Sequence, residues 1–211
     1  MVSVNYFNGI FHNVRFYVLV CSVMAACIIG YSFQTPQFGL TIVRAYALVA
    51  LGYLYVTLLA GPLTRVFPNF PLRAKYLKAR RALGVSTFLF AVLHGYFAFF
   101  DEVGGIQGLI ASPFYYIFAI LCASIALVVL FLMAATSFDD MVKKLTFKKW
   151  KTLHRFVYLA GILILIHSAL IGTQFADKFS AFPLVVYGFV FVLLLLEAIA
   201  YKKMIDLRKG R

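Results

Sequence analysis

The chain has 211 residues, of which 64% are hydrophobic and only 13% charged, with a formal net charge of +13 and a mean hydropathy of +0.94. A soluble domain carries roughly 25% charged residues, so these values exclude an ordinary soluble protein and predict a polytopic membrane protein. The excess positive charge falls in short clusters between apolar runs, which fits topology signals and contact with membrane lipid headgroups and excludes a nucleic-acid partner.

Six apolar runs follow in chain order, at about 14–33, 40–60, 82–100, 113–135, 153–172 and 182–200, each near the ~20 residues that span a bilayer as a helix. None alternates as a barrel strand would, so backbone satisfaction in lipid requires helices. The first run contains Met24-Ala25-Ala26-Cys27, which resembles a lipoprotein cleavage box. The apolar sequence continues past it and only Arg15 precedes it as a basic flank, so an uncleaved first helix is expected. Gln34-Thr35-Pro36 follows the first run, Gly61-Pro62 is expected to end the second, and Asp101-Glu102-Val103-Gly104-Gly105 follows the third. Ser112-Pro113 opens the fourth, with proline in a first-turn position where its missing N–H costs nothing. Glu197, near the end of the sixth, is expected to snorkel or to pair with Lys202. Cys21, Cys27 and Cys122 all lie within apolar runs as buried filler, and the absence of a C-x-x-C-H motif excludes covalent haem attachment of the c type.

Lysine and arginine set the expected orientation. Arg65, Arg73, Lys75, Lys78, Arg80 and Arg81 follow the second run; Lys143, Lys144, Lys148, Lys149 and Lys151 follow the fourth; Lys202, Lys203, Arg208, Lys209 and Arg211 end the chain. The opposite side holds only Arg44 and Lys178. The positive-inside rule then places both termini in the cytoplasm. The expected fold is an all-α bundle of six transmembrane helices, one domain over residues 1–211, in a bacterial inner membrane.

The chain has four histidines, His12, His94, His154 and His167, and an ionisable side chain within a span is rare and functional by default. His94 and His167 lie ~18 and ~21 Å from the cytoplasmic starts of their helices at 1.5 Å per residue. That matched depth suits two axial ligands of one haem between the third and fifth helices. His154 lies ~20 Å below His167, so it would serve a second, cytoplasmic-side haem with His12 or a non-histidine partner, or hold a haem propionate or flavin phosphate. Thirteen residues of helix leave the rings of His154 and His167 ~140° apart, so either the fifth helix is distorted or the two face different gaps. Gly161 between them permits close approach of a macrocycle or a helix. The alternative for all three is interhelical hydrogen bonding, worth only ~0.6 kcal/mol on average in a membrane bundle.

Arg80-Arg81-Ala82-Leu83-Gly84 with Leu93-His94, and Trp150-Lys151-Thr152-Leu153-His154 with Tyr158 and His167, resemble the ferric-reductase-like transmembrane domain family. Gly61-Pro62-Leu63-Thr64-Arg65 fits that family's T-P-L-x-R, with glycine replacing the threonine. Within the family the chain looks most like haem-binding subunits of periplasmic methionine-sulfoxide reductase systems. The resemblance implies heme b, one or two per chain, with His94, His154 and His167 as the ligands to haem iron, and flavin mononucleotide (FMN) as a further associated cofactor. It implies electrons entering from the quinone pool or a cytoplasmic flavin reductase and leaving to a periplasmic molybdopterin-containing reductase subunit. The chain itself would then be an electron-transfer subunit with no catalytic residues. Arg80 and Arg81 could contact haem propionates or a flavin phosphate, or simply anchor the helix at the cytoplasmic face. Two other functions stay open on the residues alone. One is a stand-alone ferric or cupric reductase; the other is a haem-free transporter or scaffold, against which the near absence of mid-span charge argues.

Overall fold

The computed structural model describes residues 20–137, 139–177 and 179–209, and the described chain is built of helices. His12 lies outside the described residues. In chain order the α-helices are α1 (Val20–Ser32), α2 (Phe38–Val66), α3 (Arg73–Phe97), α4 (Gly105–Ala111), α5 (Phe114–Ala135), α6 (Asp139–Leu145), α7 (Phe147–Arg155), α8 (Val157–Ile171) and α9 (Ala181–Lys209). Among the described residues, five apolar stretches are long enough to cross a membrane: Phe38–Val66, Ala79–Glu102, Phe114–Ala135, Lys148–Ile171 and Ala181–Leu207. The expected first span begins outside the described residues, and its described part, α1, is shorter than a full crossing.

Three boundaries differ from expectation. Gly61-Pro62 does not end α2, which runs on to Val66. Proline withholds one amide proton, but Thr64 Oγ1 donates to Ala60 O at 2.7 Å and Arg65 Nε to Gly61 O at 3.2 Å, so the last turn is tied by side chains. The helix stops where Phe67 leaves helical geometry ahead of Pro68, as a residue preceding proline tends to do. The third span continues from α3 into a π-helical turn, Ala98–Glu102. It is then broken by Gly104 and Gly105, whose φ angles of 75° and 71° demand glycine. The fifth span is divided at Phe156, whose N–H bonds three residues back to Leu153 O at 3.0 Å. This tight turn separates α7 from α8, so a local distortion does lie between His154 and His167.

Helix pairing defines the interior. α2 packs along α3 and α5 along α8, while α3 meets α5 and α2 meets α9. One cluster of buried side chains joins Leu54, Leu58, Ala126, Leu130 and Val157; a second joins Cys21, Ile42, Tyr46 and Phe90. Small residues allow the close approaches. A Cβ on Gly161 would stand 3.6 Å from Leu58 Cδ1, so this glycine faces α2 across an ordinary contact. A Cβ on Gly84 would stand 3.7 Å from Thr57 Cγ2. Thr57 is itself buried, and its hydroxyl has no hydrogen-bond partner among the described residues.

Candidate functional site

His94 and His167 are each held by the helix that packs against their own. His94 Nδ1, on α3, donates to Val43 O of α2 at 3.1 Å. His167 Nδ1, on α8, donates to Ala119 O of α5 at 3.1 Å. A carbonyl oxygen only accepts, so each contact places the ring proton on Nδ1 and leaves the Nε2 lone pair of a neutral imidazole free to bind a metal. An outward hydrogen bond of this kind is the usual orienting partner of a metal-ligating histidine. The two rings come together between the helix pairs, with centroids 6.2 Å apart and planes at 81°.

They line a cavity of about 620 Å³, within the range of cofactor-sized pockets. Its walls near the histidines are small: Ala47, Ala50, Ala91, Gly95, Ala98, Ala123 and Ala126. A Cβ on Gly95 would meet nothing within 4 Å. At the end away from the basic clusters the lining becomes aromatic and polar, with Phe99, Phe100, Arg44, Glu102, Tyr116, Thr173 and Gln174. The π-helical turn supplies the phenylalanines and Glu102; such turns occur frequently at functional sites.

His154 stands apart from this cavity, on the last turn of α7. Its Nδ1 donates to Trp150 O at 3.0 Å, one turn earlier, which again leaves Nε2 as an acceptor. The indole of Trp150 lies 4.1 Å from the His154 ring, centre to centre, and donates through Nε1 to Thr136 O at 3.0 Å. The Arg81 guanidinium sits over that indole at 5.4 Å. Arg80 extends toward α2, with Nη1 3.9 Å from where a Cβ on Gly61 would stand. The two arginines named from the sequence therefore gather at the His154 end and do not line the His94–His167 cavity. Close by, Tyr158 donates to Glu197, and Arg65 Nη1 lies 3.7 Å from the other Glu197 oxygen. Glu197 thus pairs with α8 and α2 rather than with Lys202.

A family model described as ferric reductase like transmembrane component matches residues 43–166, more than half of the chain. The chain belongs to this family. The matched range begins at Val43, whose carbonyl orients His94; it includes His154, Arg80 and Arg81 and stops just before His167. Among curated proteins, the ferric-reductase-like chain is 34% identical over 125 residues to the protein-methionine-sulfoxide reductase heme-binding subunit MsrQ of Cronobacter sakazakii, covering 56% of this chain and 58% of that one. It is 36% identical over 131 residues to MsrQ of Polaromonas naphthalenivorans, covering 60% and 56%. With MsrQ of Klebsiella pneumoniae the identity is 37% over 120 residues, covering 56% and 58%. The chain thus spans a little over half the length of the curated relatives it matches.

Three features of the ferric-reductase-like site have contacts that the sequence did not show. The carbonyls of Val43 and Ala119 leave no side-chain signature. Arg44 was visible only as a cation on the side where cations are scarce. Glu197 was visible, but its partners lie 39 residues away along the chain at Tyr158 and earlier still at Arg65.

Proposed function

We propose that the chain is a b-type cytochrome subunit that carries electrons through the membrane to a periplasmic reductase acting on methionine sulfoxide. The observation that carries this reading is the facing pair His94 and His167. Two imidazoles on one metal, each at ~2.0 Å through nitrogen, place their ring centres ~6 Å apart, and the observed separation is 6.2 Å. Both rings offer Nε2 after Nδ1 is spent on a carbonyl, and the cavity they line is mostly apolar, walled by alanines and Gly95 together with larger aliphatic and aromatic side chains, and of cofactor size. The residues present therefore fit a haem. Haem would supply one-electron chemistry, and its potential would be set by the axial ligands, their outer hydrogen bonds and the surrounding dielectric. The protein's own part is to fix both imidazoles in one tautomer, keep the site apolar and set its depth in the membrane.

His154 is proposed as the entry-side group. With Trp150, Arg80 and Arg81 beside it, it either ligates a second haem or holds the phosphate of FMN. The donor is then quinol or a cytoplasmic flavin reductase, and the acceptor a molybdopterin-containing subunit on the other face. This requires an inner-membrane location with the basic end in the cytoplasm, as the distribution of lysine and arginine favours. The relatives' printed names, as heme-binding subunits of a methionine-sulfoxide reductase, support the same assignment.

The test is a reduced-minus-oxidised visible spectrum of the detergent-purified chain, with haem quantified per polypeptide. A b-type spectrum with one or two haems per chain is expected. A flat spectrum from folded protein expressed with ample haem would end the cytochrome reading and return the histidines to a structural role.

A further inference from the structure

Arg44 is a cation in the wrong place for a topology signal. It lies on α2 at the end of the bundle opposite the basic clusters, where the positive-inside rule depletes lysine and arginine. It is half-buried and lines the cavity that contains His94 and His167. It follows Val43, whose carbonyl fixes His94, so its Cα stands at the level of that imidazole. From there the side chain reaches across to the residues that follow α8, where Nε donates to Thr173 Oγ1 at 2.9 Å. Thr173 is six residues beyond His167, past the end of α8 at Ile171. The guanidinium is therefore held at the cavity wall beside Thr173 by a neutral hydroxyl. Among the described residues it forms no ion pair with a carboxylate. Among the described residues, Glu102 is the one carboxylate that lines the same cavity. A guanidinium in that setting presents paired N–H groups suited to a carboxylate that arrives with a ligand.

We infer that Arg44, held by Thr173, anchors the peripheral carboxylate of the macrocycle between His94 and His167, and so fixes its carboxylate edge toward the end of the bundle away from the basic clusters. This inference rests on the proposal that the two histidines hold a haem. It separates the two groups of arginines by role: Arg44 serves the His94–His167 cavity, while Arg80 and Arg81 stay with His154. It also makes Arg44 a positioning residue for the exposed edge through which an electron would leave.

The experiment compares the full chain with Arg44→Gln and Thr173→Val, each loaded either with haem or with haem dimethyl ester, whose carboxylates are blocked. Transfer of the macrocycle to excess apomyoglobin gives its release rate. With haem, Arg44→Gln is expected to release about tenfold faster than the unmodified chain, and Thr173→Val to fall between them. With the dimethyl ester all three chains are expected to release at one rate, near that of Arg44→Gln with haem. Equal release of haem from all three chains would overturn the inference. So would a difference that persists with the ester, since Arg44 would then act through the fold. A chain that takes up neither macrocycle would overturn the histidine assignment itself, a different result from uptake that ignores Arg44.

Discussion

Replacing His94 and His167 with alanine, singly and together, tests whether the two rings act as one site. Each replacement removes a hydrogen bond to a carbonyl that still accepts within its own helix, a loss of ~1 kcal/mol. A cofactor bound at a concentration 100 times its dissociation constant stabilises the fold by ~2.7 kcal/mol. If both imidazoles hold one metal, either single variant forfeits that whole contribution and costs ~4 kcal/mol, and the double variant adds only the second hydrogen bond, reaching ~5 kcal/mol. Independent sites would instead give additive costs of about 7 kcal/mol in the double variant. Haem per chain by the pyridine method, with unfolding followed in mixed micelles, reads both quantities on the same samples. Single variants that lose different haems, together with an additive double variant, would refute the shared site.

The other predictions are local. Gly95→Leu should leave the fold intact, since the added carbons enter open space and leucine favours the helix over glycine by up to ~1 kcal/mol; the chain should nonetheless lose the His94–His167 haem, seen as a drop of one haem per chain with unchanged circular dichroism. His154→Ala should retain the haem bound by His94 and His167 and alter only a second spectral component, and loss of the first component would link the two ends of the bundle. Thr57→Val should stabilise the chain by ~1 kcal/mol, because it removes a buried hydroxyl without a partner; a lower unfolding midpoint would show that the hydroxyl is satisfied in the membrane. Glu197→Gln should cost less than ~1 kcal/mol, since Arg65 is half-exposed and an amide can still accept from Tyr158.

The sequence exposed what depends on composition and depth and hid what depends on partners. The run at 113–135 became α5 almost unchanged, because a stretch so apolar in lipid has no alternative to a helix. The level of His94 against His167 was legible from helical rise alone, and the rings do meet. The ~140° rotation between His154 and His167 holds only for an unbroken helix, and the turn at Phe156 interrupts it. Nothing in residues 150–160 announces this turn, since no proline or glycine marks it. At Pro62 the local rule misled in the other direction: the helix persisted because Thr64 and Arg65 bond back to its carbonyls. Arg44 stands out as an exception to the charge pattern, and its contact with Thr173 becomes readable only when α2 and the residues after α8 stand side by side.

The π-helical turn at Ala98–Glu102 carries a consequence for how such a chain can diverge. A turn of this kind holds one residue more than an α-helical turn, so a single deletion within it would restore regular winding. Everything upstream, His94 included, would stay in register. Everything downstream would swing by ~100° and shorten by ~1.5 Å. The cavity rim can therefore be re-cut by one codon while the imidazole four residues earlier keeps its place, which lets the rim vary without disturbing the level of His94 and His167.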